Sequence, residues 1–251
     1  MVASSAITSG LRAEQRAAVL MQVARLGKRY GEQHALVDIS FEVRAGEILG
    51  LIGPNGAGKT TLLEAIAGLI PTDDGEVVWR GATLPPRQRR EVIFYLPDGL
   101  RPWDGQHVER VLAFFGEVYR KSDDLIAEAV AMVGLAPVLR KQVLVLSKGY
   151  ARRLMLALAL LTPHQLLLMD EPFDGFDLRQ TREMMETLRQ LALRGRTLVL
   201  AIHQLPDAER LCHRFILLAD GHICGSGTLD DLRARIKREA AGLEEVFLAL
   251  T

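Results

Sequence analysis

Apolar residues recur along this chain in two rhythms, a period of two and a period near four, and the segments carrying them take turns. Residues 34–43, HALVDISFEV, alternate apolar and polar side chains as a half-buried strand does. The short apolar run EILGLI, residues 47–52, ends at Gly53 and predicts a buried strand. Residues 61–70, TLLEAIAGLI, have helical spacing and stop at Pro71. GEVVWRG at 75–81 and EVIFYL at 91–96 predict further strands.

The character changes between Asp98 and Leu146. Val108, Val111, Leu112 and Phe115 fall on one helical stripe, and Leu125, Ala129 and Val133 fall on another. Alternation then returns with a strand at 164–172, a helix at 178–194, a strand at 197–203 and a strand at 215–220. Strands alternating with helices predict a largely parallel sheet, with ligands at the strands' C-terminal ends. The expected organisation is an N-terminal extension at 1–20 and a single α/β domain at 21–251. A helical insert at 98–150 and a C-terminal helical tail at 228–251 lie within it. No internal repeat interrupts this pattern.

Composition narrows the partners. Hydrophobic residues make up 49% of the 251, enough for a sizeable core, and 25% charged residues argue against disorder. Thirty-one basic residues balance 31 acidic ones, so no basic excess points to nucleic acid. Arg87, Arg89 and Arg90, after Pro85-Pro86, read as a solvated loop. Cys212 and Cys224 lack metal-ligand spacing, which predicts a reduced, cytosolic chain. Arg12, Glu14 and Arg16 break up the first twenty residues, unlike a signal peptide. The most apolar run, residues 154–161, is stopped by Thr162-Pro163, well short of the ~20 residues a bilayer needs. A membrane role would have to come through a partner.

The sharpest local signal is GPNGAGKT at residues 53–60. It matches G-x-x-x-x-G-K-[ST] between an expected strand and an expected helix. Gly53, Pro54, Asn55, Gly56, Ala57 and Gly58 would wrap a phosphate with backbone N–H groups, which side chains would obstruct. The following helix adds its positive N-terminal end, and Thr61 lies in its first turn. Lys59 would reach the β- and γ-phosphates, and the Thr60 hydroxyl would ligate Mg²⁺. The chain is expected to bind a nucleoside triphosphate.

LLLMDEP, residues 166–172, is a second buried strand, and it ends in two carboxylates. Asp170 would hold Mg²⁺ through its water shell, while Glu171 would orient or deprotonate the attacking water. General base catalysis of that kind supplies about 10²–10⁴-fold. His203 ends the next strand in sequence, and a doubly wound arrangement can bring that strand end beside Asp170 and Glu171.

LSKGY, residues 146–150, begins another helix with a Ser and a Gly around Lys148. With the phosphate loop and acidic strand end in place, it resembles the signature of the ABC ATPases, usually Leu-Ser-Gly-Gly-Gln. The resemblance runs from about residue 26 to residue 251. It includes Tyr30 where the family has an adenine-stacking aromatic, and GFD, residues 175–177, where it has a dimer-contact loop ending here in Asp177. The resemblance implies a P-loop NTPase core with an N-terminal antiparallel β portion and an inserted helical subdomain. It also implies that two cassettes meet head to tail, so that Ser147 and the Gly149 N–H grip the γ-phosphate held by the partner. Capping of its own helix by Ser147 is the same chemistry turned inward.

Three departures stand out. Lys148 and Tyr150 replace the second Gly and the Gln of the usual signature, and Asp98 stands where the family has Gln or, less often, Glu. That side chain contacts Mg²⁺ in the family. Asp98 can still donate an oxygen, so retained hydrolysis with altered Mg²⁺ dependence or altered coupling is expected.

The expected function is ATP binding and hydrolysis that power a membrane transporter whose spanning subunits are separate polypeptides. The ending LEEVFLAL, residues 243–250, resembles bacterial export-type cassettes. The expected place is the cytoplasmic face of the inner membrane, with ATP and Mg²⁺ as cofactors, a second cassette as partner in a homodimer, and no nucleic acid. A soluble assembly ATPase of the iron–sulfur scaffold type is the alternative. A degenerate nucleotide sensor is a third reading, disfavoured by Glu171 and His203.

Overall fold

A computed structural model describes residues 18–251. Residues 1–17 of the expected N-terminal extension lie outside the described residues, and its last two, Val19 and Leu20, already belong to a strand. In chain order the N-terminal half holds β1 (Val19–Tyr30), β2 (Gln33–Arg44), β3 (Ile48–Ile52), α1 (Lys59–Ala67), β4 (Asp74–Trp79), β5 (Ala82–Thr83), α2 (Pro86–Arg89) and β6 (Ile93–Leu96). The helices α3 (Val108–Val118) and α4 (Asp123–Val133) follow, then α5 (Lys148–Leu161) and β7 (Leu166–Asp170). The chain closes with α6 (Leu178–Leu193), β8 (Thr197–Ile202), α7 (Leu205–Leu211), β9 (Arg214–Ala219), β10 (His222–Gly227), α8 (Leu229–Ile236) and α9 (Leu243–Leu250).

Two sheets form. One is antiparallel, in the order β2-β1-β4-β5; the other runs β10-β9-β3-β8-β7-β6 and is parallel except for the β9–β10 hairpin. Every residue of β3, β7 and β8 is buried, as continuous apolar runs covered on both faces must be. The period of two sorts their side chains. Leu49, Leu51, Leu166, Leu168 and Val199 pack toward the antiparallel sheet and α1, with Leu62, Leu63 and Ile66. Ile48, Ile52, Leu167, Met169 and Leu200 pack toward α5 and α6, with Leu158 and Leu188. Helix α1 is therefore held between the two sheets.

Some expectations change. Tyr30 does not precede the first strand; it ends β1, pairing with Gln33 across a tight hairpin. Strand β1 escaped the period-two pattern because register shifts near Arg25 and Gly27 break its alternation. On α4 the buried residues are Ala129, Val130 and Val133, whereas Leu125 is exposed. Arg89 is not solvated either. It is buried, donating to the carbonyls of Leu84 at 3.1 Å and Ala65 at 2.6 Å. Ala65 lies in the last turn of α1, and its carbonyl also accepts from the Gly68 N–H at 3.1 Å.

Candidate functional site

The phosphate loop links the end of β3 to the start of α1, so its width is set by both sheets. Gly58 has φ +102°, a left-handed value that a side chain resists, and a Cβ there would meet Ala35 O at 2.6 Å. At Gly53 a Cβ would collide with Leu218 O. Both glycines are required by backbone that presses on the loop. Ala57 is buried and locks the turn, its N–H donating to Pro54 O at 3.2 Å and its carbonyl accepting from Gly221 N–H at 3.2 Å.

Lys59 is buried at the head of α1, and its Nζ donates to Gly53 O at 2.7 Å and Pro54 O at 3.1 Å. The ammonium thus fills the curve of its own loop. Burial lowers its pKa, opposed by the negative charges of Glu171 and Asp170. The Thr60 hydroxyl donates to Asp170 Oδ2 at 2.6 Å, tying α1 to the C-terminal end of β7. Burial also raises the Asp170 pKa; the Thr60 hydrogen bond pulls the other way and Asp98 adds to the rise.

Glu171 follows Asp170 with φ +47°, left-handed and rare for a non-glycine residue. Its N–H still reaches Ala201 O at 3.0 Å, extending the β7–β8 ladder by one bond. The turn aims its carboxylate at His203, whose Nδ1 lies 2.5 Å from Glu171 Oε2. Adjacent parallel strands have delivered an acid and an imidazole to the same edge.

A cleft of about 540 Å³ runs along this edge. It is lined by Tyr30, Asn55, Gly56, Gly58, Lys59, Thr60, Thr61, Asp98, Asp170 and Glu171, all anticipated from sequence. Gln33, His34, Ala35, Asp220 and Gly221 line it as well and were not anticipated. Two hairpin turns bring them there. The Asp220-Gly221 dipeptide is a hairpin signal that could have placed the second turn. Tyr30 is half exposed, with Lys28 Nζ 5.1 Å from its ring centroid. Tyr95, also missed, buries a hydroxyl that has no hydrogen-bond partner among the described residues; burial and then the charge of Asp170 push its pKa up.

Helix α5 stands apart. Ser147 caps it, its hydroxyl accepting from Tyr150 N–H at 3.4 Å, and is exposed. Gly149 is buried against the loop before α6, where a Cβ would come 3.2 Å from Gly175 O. Asp177 caps α6, accepting from Gln180 N–H at 2.8 Å in a reciprocal capping box. None of Ser147, Gly149 and Asp177 lines the cleft. Lys148 pairs with Asp174, and Asp98 Oδ1 pairs with Arg152.

The family model described as ABC transporter matches residues 36–174, more than half of the 251. The chain belongs to the ABC transporter family. The linearmycin resistance ATP-binding protein LnrL of Bacillus subtilis is 30% identical over 241 residues, covering 91% of this chain and 78% of that protein. The Nod factor export ATP-binding protein I of Rhizobium etli is 36% identical, covering 82% of this chain and 67% of that protein. A solved ATP-binding subunit of an ABC transporter superposes with TM-score 0.84 at 30% identity, covering 92% of this chain and 99% of that one. A bacterial Atm1-family exporter shares the fold, with TM-score 0.79 at 21% identity over 92% of this chain and 42% of that one. As an ABC cassette the chain binds and hydrolyses ATP. Cassettes of this family dimerise and work with membrane components of transporters. Among the described residues no helix is long and apolar enough to cross a membrane.

Proposed function

We propose that this cassette powers an exporter as one half of a head-to-tail homodimer, docked on the cytoplasmic face of the membrane against separate spanning subunits. One observation carries this: Asn55, Gly56, Gly58, Lys59 and Thr60 of the phosphate loop line the cleft, whereas Ser147 and Gly149 lie outside it. Ser147, exposed at a helix N-terminus, is then available to a nucleotide held by another chain. The export sense rests on relatives named for Nod factor export and linearmycin resistance, and on the resemblance of residues 243–250, in α9, to export-type cassettes. The soluble assembly ATPase finds no counterpart among those relatives.

In this reading the N–H groups of the phosphate loop and Lys59 hold the β- and γ-phosphates, and Tyr30 offers its ring to the adenine. Lys59 leaves the Gly53 and Pro54 carbonyls for phosphate oxygens, a stronger, charge-assisted partner. Thr60, Asp170 and Asp98 supply hard oxygen donors along one wall, and burial leaves the Asp170 carboxylate short of compensating charge. These residues fit Mg²⁺, which when bound would neutralise charge building on the phosphate oxygens. Glu171 accepts the proton of the water that attacks the γ-phosphorus, the bond to the bridging oxygen breaks, and ADP leaves with its electron pair. His203 fixes the Glu171 carboxylate through the 2.5 Å contact. Ser147 and Gly149 of the second chain close over the same γ-phosphate, with Asp177 at the joint.

The exposed aromatic group of the helical insert supports a protein partner. Trp103 and Phe114 stack edge to face at 5.2 Å and remain 55% and 48% exposed.

The test uses Glu171→Gln. Turnover should fall by about 10²-fold or more, while ATP with Mg²⁺ drives the variant to a dimer by light scattering. With Lys148→Cys and Asn55→Cys added, which leave Ser147 in place, the two thiols should then cross-link only between chains. A variant that stays monomeric with bound ATP, or that dimerises without this cross-link, refutes the head-to-tail arrangement.

A further inference from the structure

Helix α5 opens with Lys148, Arg152 and Arg153 within two turns, although cations are disfavoured at a helix N-terminus. Each is matched by an acid on another element: Asp174, Asp98 and Glu183. Arg153 turns toward the insert, donating to Val133 O at 2.6 Å and lying 5.5 Å from the Phe176 ring. Arg152 turns the other way. Its side chain is only 6% exposed, and its guanidinium donates to Asp98 Oδ1 and to Pro97 O at 3.4 Å.

Asp98 lines the cleft with Thr60 and Asp170, and the charge of Arg152 also reaches Asp170. An arginine buried this far with one carboxylate partner is left uncompensated if that partner goes. The neutral amide usual at position 98 in the resembling family cannot supply the charge. The acid at 98 and the base at 152 therefore make sense together, as a pair bridging cleft and signature helix within one chain.

We propose that Arg152 is a positioning residue: through Asp98 it ties the rim of this chain's own cleft to the helix that presents Ser147 to the other chain's nucleotide. Occupancy of one half-site then biases the placement of the other half-site of the same chain. The proposal rests on the head-to-tail reading, and its test separates the two.

The experiment measures the ATP concentration giving half-maximal dimerisation of the Glu171→Gln protein by analytical ultracentrifugation, with Mg²⁺ present. Arg152→Met keeps an apolar stem in the buried position and removes only the guanidinium. It should raise that concentration about 10-fold, within the usual range of coupling between sites. Arg152→Lys should restore most of it. With Asp98→Gln already present, Arg152→Met should add less than about 2-fold, as expected when the link has already been cut. Binding of a fluorescent ATP analogue to the dilute monomer distinguishes lost coupling from lost affinity, and should move less than about 2-fold with Arg152→Met. Equal penalties in the presence and absence of Asp98→Gln, or a Lys variant as impaired as the Met variant, overturn the proposal. Should Arg152→Met not fold, Arg152→Gln carries the same comparison, and failure of both to fold in the Asp98→Gln protein as well assigns Arg152 to packing alone. A parent that never dimerises removes the head-to-tail reading and this proposal with it.

Discussion

Asp170 and Glu171 are neighbours with opposite circumstances. Asp170 is buried and its pKa is raised chiefly by desolvation. A carboxyl whose folded-state pKa lies above its unfolded value favours folding below the ordinary carboxylate range. That contribution is lost as pH rises through the raised value. Asp170→Asn should therefore melt higher than the parent at neutral pH and abolish turnover, with each kcal/mol of relief worth about 2–4 °C in a chain of this size. Melting curves of the nucleotide-free proteins should converge as pH falls toward the ordinary carboxylate range; a gap that widens there would contradict the assignment. Glu171 instead sits at a left-handed turn with His203 against it. His203→Ala should lower kcat while leaving ATP binding intact, because it removes the brace and not the phosphate contacts. Equal loss in KM would move His203 into binding.

Among elements, the phosphate loop is the least tolerant. Gly58→Ala would drive a Cβ into Ala35 O in a left-handed conformation, a strain of order 1–3 kcal/mol. Lost nucleotide binding should accompany a lower Tm, read by calorimetry with and without ATP. Ser147→Ala should be milder for stability, at the low end of about 0.5–2 kcal/mol for a lost cap, since the bond to Tyr150 N–H is long at 3.4 Å. Its larger effect should be on ATP-driven dimerisation. These elements were legible because their chemistry is local: GPNGAGKT, LLLMDEP and LSKGY each carry their own signal. Strand β1 was not legible, since its bulges at Arg25 and Gly27 spoil the alternation that marks a strand. Arg89 and Arg152 were missed for the same kind of reason. A guanidinium is buried by partners distant in sequence, Ala65 for one and Asp98 for the other.

At the scale of the molecule, the segment around α3 presents Leu100, Trp103 and Phe114 about half exposed, while Val108, Val111 and Leu112 seal the other face of α3 into the core. Replacing Trp103 and Phe114 by Ala should abolish stimulation of ATP turnover by the spanning subunits in reconstituted vesicles. An unaltered stimulation would place the docking surface elsewhere. The two sheets meet around α1, and the phosphate loop lies in that joint: Ala35 O, from the antiparallel sheet, faces Gly58, while Leu218 O, from the parallel one, faces Gly53. The loop's grip on a phosphate is thus like the gap of a vice whose jaws belong to separate layers. Bulk wedged between those layers, even far from any bound nucleotide, should loosen ATP by altering the spacing of its cradle while every residue that touches it stays the same.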